Sequence, residues 1–171
     1  MISREAENTL PQCERTVTYQ YMKPGEAAAV SNLVWRVFEE FEADDYSEEG
    51  IDEFKKYIDP AFLAARAASD TYFVLCCKSG SEIVGVIAIR DDCHISLLFV
   101  QKEDQRKGIA RELVAMAQRT CCRVNPRLRE ITVNSSRYAV EIYEKLGFER
   151  TGPEQEKNGI RFTPMRLPIG L

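Results

Sequence analysis

The sequence predicts a mixed α/β domain, with a central sheet of about seven strands flanked by about four helices. Three observations carry this. Apolar residues recur with three-four spacing at Val30, Leu33, Val34, Val37, Phe38 and Phe41, and again from Ile109 onward, as on one face of a helix. Between these stretches lie short apolar runs, Tyr72 to Cys77, Ile83 to Ile89 and His94 to Val100, separated by turn residues. No repeat or Pro/Gly-rich linker divides the chain, so residues 16–171 read as one domain after a short polar tail at 1–15.

Taken in order, Val17 to Tyr21 reads as a first strand, broken by Lys23-Pro24-Gly25 before the first helix. Ser47 is placed to cap a second helix, whose inward face carries Ile51, Phe54 and Ile58. The three apolar runs then form an antiparallel meander, turning at Ser79-Gly80-Ser81. Gly108 opens a helix marked by Ile109, Leu113, Val114 and Ala117, which ends near Asn125-Pro126. Ile131 to Val133 is a short strand. Ala139, Ile142, Tyr143 and Leu146 mark another helix, stopped by Gly147. A hairpin from Phe148 turns at Asn158-Gly159 and returns over Ile160 to Leu167. Pro164 cannot donate to a ladder, which places the last strand at an edge or gives it a bulge there.

Composition excludes several classes. The 171 residues are 44% hydrophobic and 29% charged, and no apolar run approaches the roughly 20 residues of a membrane span. A formal charge of −4 disfavours general nucleic-acid binding, which needs a basic surface to displace counterions. The tail has no apolar stretch of a secretory signal, so the expected location is cytoplasmic. Cys13, Cys76, Cys77, Cys93, Cys121 and Cys122 contain no C-x-x-C pair, and read as small buried hydrophobes rather than a metal site.

The most informative segment runs from Leu97 to Ala110, a strand leading through Gln105-Arg106-Lys107-Gly108-Ile109-Ala110 into a helix. The first turn of a helix exposes backbone N–H groups without internal partners, and its dipole favours an anion. Gly108 lets a phosphate approach the backbone closely, while Arg106, Lys107 and Arg111 add positive charge. The pattern is neither a Walker loop nor a G-x-G-x-x-G fingerprint. Alone it is a weak motif, equally a charged loop at a helix start.

Downstream, Ile131 to Phe148 carries Tyr143-Glu-Lys-Leu-Gly-Phe148. Together with the earlier turn, in this order and with a strand between, it resembles the GNAT family, the Gcn5-related N-acetyltransferases. The resemblance covers roughly Val17 to Leu167. It implies a GNAT-like fold whose mostly antiparallel sheet splays in the middle, between His94–Val100 and Ile131–Val133, to admit acyl-pantetheine much as an added strand would. It implies acetyl-CoA as cosubstrate and an amine as acceptor. By position, the backbone of Leu98, Phe99 and Val100 would hold pantetheine and the thioester carbonyl, and the amides from Arg106 through Lys107, Gly108, Ile109 and Ala110 to Arg111 the pyrophosphate. Asn134 and Ser136 would touch the cofactor, although many members carry Asn where this chain has Ser136. Tyr143 matches the family's tyrosine beside the sulfur, a phenol with a reference pKa near ~10 that can protonate a leaving thiolate. By spacing alone, Tyr143 also belongs to the packed face of its helix.

His94, the one histidine, would share a face with Ser96 and Leu98 if alternation holds, and is the candidate base, with Glu40 and Glu42 as rivals. Nine carboxylates lie between Glu39 and Glu53 with no Lys or Arg. This is either a solvated face or the rim of a site for a cationic amine. The expected activity is thus N-acetyl transfer by direct attack on an acceptor that the sequence does not name. A non-catalytic acyl-CoA-binding or sensing module is the alternative, and an α/β nucleotide-binding protein fits the strand order poorly. A homodimer through the C-terminal hairpin is possible by analogy with the family. No metal and no membrane are expected.

Overall fold

The computed structural model describes residues 16–91 and 93–170; the expected tail, with Cys13, lies outside them. The chain forms β1 (Val17–Tyr21), α1 (Ala27–Phe41), α2 (Glu48–Tyr57), α3 (Pro60–Ala67), β2 (Tyr72–Ser79), β3 (Glu82–Arg90) and β4 (His94–Val100). It continues through α4 (Ile109–Val124), β5 (Glu130–Ser135), α5 (Val140–Lys145), β6 (Glu149–Arg150), β7 (Gln155–Lys157) and β8 (Ile160–Pro168). The strands make one eight-stranded sheet in the order β1-β2-β3-β4-β5-β8-β6, with β7 also paired to β8. Every pairing is antiparallel except β4 with β5.

Helices cover both faces. On one side the apolar stripe of α1, with Val30, Val34 and Phe38 fully buried, packs with Leu63 of α3 against Val86, Leu97 and Phe99 of the sheet. On the other, Ile109, Leu113 and Ala117 of α4 and Tyr143 of α5 pack against Ile87, Ile131 and Met165. Gly85 sets the closest approach on this side, because a Cβ there would lie 2.8 Å from the Ile109 Cγ2. Cys76, Cys77, Cys93 and Cys121 are buried within these layers and Cys122 is half-buried.

The Ser47 cap forms as the sequence predicts, its Oγ accepting from the Gly50 N–H at 3.1 Å. Helix α3 was not expected. It begins at Asp59-Pro60, where the Asp59 carboxylate accepts from the Ala61 and Phe62 N–H groups at 2.9 and 3.3 Å. With a single fully buried apolar residue, Leu63, it has no stripe to reveal it. The edge position for the last strand is also corrected: β8 is internal, flanked by β5 on one side and by β6 and β7 on the other. The Pro164 carbonyl accepts from the Thr151 N–H at 2.9 Å, so its donorless nitrogen faces the same way, into the interval between β6 and β7.

Two features of β4 position the site. Ala88 pairs with Leu97 but Ile89 pairs with Ile95, so Ser96 is an extra residue, a β-bulge. Leu97 and Phe99 consequently face α1–α3, whereas Ile95 and Leu98 face α4 and α5. Strict alternation through His94, Ser96 and Leu98 therefore fails, and His94 points away from the Leu98 side. Secondly, β4 and β5 pair only at His94↔Thr132 and Ile95↔Val133. Beyond these, Leu97 to Val100 has ladder partners on the β3 side alone, and Ser96 has none.

Candidate active site

Where β4 leaves β5, a cleft of about 600 Å³ opens. Its walls are Leu98, Phe99 and Val100 of β4, the turn from Asp104 through Arg106 and Gly108 to Arg111, Tyr138 to Leu146 around α5, and Val37 and Glu42 from the end of α1.

The turn is braced from within by its own side chains. Gln101, 8% exposed, accepts from Arg36 Nη2 at 3.0 Å and donates to Asp104 Oδ2 at 3.1 Å. Gln105 Nε2 donates to the Val100 carbonyl at 3.0 Å. Lys107 Nζ reaches Asp104 Oδ1 at 3.1 Å, so this lysine serves the brace and does not line the cleft. Arg106 and Gly108 both adopt positive φ, 61° and 82°, which turns the chain sharply into α4. No side chain caps that helix at Gly108. The first turn of this helix, which includes Ile109, Ala110 and Arg111, lines the cleft, and a helix start of this kind favours an anion.

Tyr143 stands on the opposite wall, 5% exposed, with its ring edge-on to Phe148 at 5.1 Å. Burial first, and the Glu42 carboxylate second, push its phenol well above the ordinary value, so it keeps its proton at neutral pH. The residue thus packs into the core and borders the cleft at the same time. Phe41 stacks on Tyr138, which lines the cleft, at 5.2 Å and 21° between ring planes.

His94 is not part of this wall. Its Nδ1 lies 2.8 Å from Thr132 Oγ1 where β4 and β5 still pair. Burial, then the Arg90 charge, pull its pKa down to about 4. Asn134 falls within β5, exposed and opposite Pro164, rather than just past the strand. Ser136 is buried, its Oγ accepting from the Ala139 N–H at 3.3 Å, and its hydroxyl favours the ionised form of Glu42. Neither Asn134 nor Ser136 lines the cleft.

Most of the acidic stretch is solvated or paired. Glu40 pairs with Lys102, Glu53 with Lys56 at 2.8 Å, and Asp45 lies 4.0 Å from Arg137. Glu42 is the exception. It is 9% exposed, and burial, offset by the Ser136 hydroxyl and reinforced by Asp45, pushes its pKa up to about 7. Reading the stretch as a charge run obscured this, yet the signal was present. Position 42 continues the Val34, Phe38 spacing of the apolar face by one more turn, so a carboxylate there was bound for the interior.

A sequence model of the acetyltransferase (GNAT) domain matches residues 42–169. Among solved structures, the chain superposes on a GCN5-related N-acetyltransferase of Rhodopseudomonas palustris with a TM-score of 0.76 and 23% identity, covering 90% of this chain and 96% of that one. It superposes on the PaiA N-acetyltransferase of Thermoplasma acidophilum, solved in complex with coenzyme A, with a TM-score of 0.74 and 16% identity over 90% and 99%. The ribosomal-protein-S18-alanine N-acetyltransferase of Escherichia coli gives 0.62 and 17% over 91% and 96%. At these identities the structures establish the fold. With the domain match spanning most of the chain, the protein belongs to the GNAT acetyltransferase family.

Proposed function

We propose that this protein moves an acetyl group from acetyl-CoA to a primary amine by direct attack of the amine on the thioester. The observation that carries the reading is the coincidence of two features at one cleft: the unpaired edge of β4 beyond Ile95 and the uncapped first turn of α4. An extended pantetheine arm satisfies the first as an added strand, and a pyrophosphate satisfies the second.

Within that arrangement the Leu98 or Phe99 N–H donates to the thioester oxygen, where negative charge gathers as the amine adds. Tyr143 supplies the proton that the sulfur needs as the C–S bond breaks. The ordinary thiol pKa, near ~8.5, lies below that of the phenol, but a thiolate forming in a dry cleft loses hydration and gains proton affinity in the same way. Alignment of the two reactants provides the remainder. The reading places the enzyme in the cytoplasm, and a homodimer through the β7–β8 hairpin is compatible with it.

Release of CoA thiol from acetyl-CoA in the presence of a panel of amines tests the reading. Turnover with at least one amine is expected, and Tyr143→Phe should lower kcat about 100-fold with little change in acetyl-CoA affinity. Tight acetyl-CoA binding with no turnover on any amine would point instead to a binding module, and wild-type turnover in Tyr143→Phe would remove the acid role.

A further inference from the structure

We propose that Glu42 receives the acceptor as an ammonium ion and takes a proton from its nitrogen, with Ser136 as the residue that positions it. The proposal rests on the acetyl-transfer reading and adds the group that activates the amine, together with the charge of the amine it accepts.

Of the carboxylates between Glu39 and Glu53, Glu42 is the one that enters the cleft wall. It stands in the same cavity as Leu98 and Phe99, where the thioester carbonyl would lie, and as Tyr143, which senses its charge. A proton acceptor for this reaction must share a cavity with both.

Among the described residues, the groups that interact electrostatically with Glu42 include no Lys or Arg. Asp45 and Tyr46 follow it in the chain, and Tyr138, Tyr143 and Ser136 face it from the α5 side. Lys102 is paired with Glu40 and Arg137 with Glu154 at 2.8 Å, and the cationic side chains that line the cleft, Arg106, Arg111 and Lys145, are not among the groups that shift the Glu42 carboxyl. A buried carboxylate that no lysine or arginine offsets is unfavourable unless it binds a proton or meets a cation from outside. A protonated primary amine brings both, a positive charge beside the Glu42 carboxylate and the proton to be removed. A pKa pushed up to about 7 suits a group that must be ionised when the amine arrives and protonated once it has reacted.

The protons balance. Glu42 takes one from the ammonium and later releases it to water. The neutral nitrogen bonds to the carbonyl carbon, and the C–S bond breaks. The sulfur leaves as thiol with the proton from Tyr143, and the second proton lost by nitrogen restores Tyr143. The products are amide, CoA thiol and one proton per turnover.

The test is the pH profile of kcat/KM for the best amine of the panel, measured for wild type, Glu42→Gln, Glu42→Asp and Ser136→Ala, beside calorimetric affinity for CoA. Wild type should lose activity below about pH 7 along one acid limb. Glu42→Gln should lower kcat/KM about 100-fold and abolish that limb while CoA affinity stays within about twofold; Glu42→Asp should recover part of the rate. Ser136→Ala should move the limb to higher pH, since it removes the hydroxyl that favours the ionised carboxylate, a shift that lost packing alone would not give. Wild-type kcat/KM and an unchanged limb in Glu42→Gln overturn the proposal and leave acetyl transfer standing. Absence of transfer by wild type, with CoA bound, overturns both.

Discussion

Burial drives the two titratable side chains Glu42 and His94 in opposite directions, because it disfavours whichever form is charged. The Glu42 carboxyl rises from 4.5 to about 7, so its proton is held more tightly in the folded chain. That stability is present below the unfolded pKa and is lost as pH rises through the folded one. Glu42→Gln should therefore be more stable than wild type at pH 8, by up to roughly 3 kcal/mol on the shift from 4.5 to about 7, with the gap closing toward pH 5. Chemical denaturation at the two pH values measures this, and an equal gap at both would show that the carboxyl is not buried as described. His94 works the other way: it is stabilising while neutral and costs stability as pH falls through its lowered pKa. The family resemblance pointed to Tyr143, Gly108 and the β4 residues, all of which line the cleft. It named Glu42 only as a rival, because which carboxylate of a run enters the interior depends on helix phase.

Among the elements, α4 carries the most weight, since it closes one core and presents its first turn to the cleft. Its packing depends on the absence of a side chain at Gly85. Gly85→Ala would bring a Cβ to 2.8 Å from Ile109 Cγ2 and 3.4 Å from Leu113 Cδ1. Overpacking of this kind costs about 1–3 kcal/mol. A lower denaturation midpoint is expected, together with weaker CoA binding as the first turn of α4 shifts. A midpoint equal to wild type would show that α4 has room to retreat. Legibility at this scale followed the strength of the local signal. Helices α1 and α4 have long apolar stripes, and the meander has turn residues between apolar runs, so all were readable. Helix α3 has one buried apolar side chain, and the Ser96 bulge shows only as a register shift between strands, which no local pattern encodes.

For the molecule as a whole, the sheet has two halves joined by two residue pairs. The first half, β1 to β4, is an antiparallel unit; the second, β5 with β8, β6 and β7, is another. The family pattern gave the existence of the splay, while its extent follows from the paired residues, with β4 free on that side from Ser96 onward. The internal place of β8 was hidden for a related reason: Pro164 is tolerated because β6 and β7 leave an interval opposite it, a property of three strands together.

The central claim, that a diphosphate docks on the α4 first turn while its thioester arm lies along β4, is tested most directly by calorimetric titration of acetyl-CoA into wild type and Gly108→Ala. Wild type should bind one equivalent with an affinity that weakens as salt rises. A Cβ at φ 82° costs about 1–2 kcal/mol in the backbone and intrudes where phosphate approaches, so the variant should bind at least about tenfold more weakly. No saturable heat from folded wild type, or equal affinity in Gly108→Ala, would contradict the account.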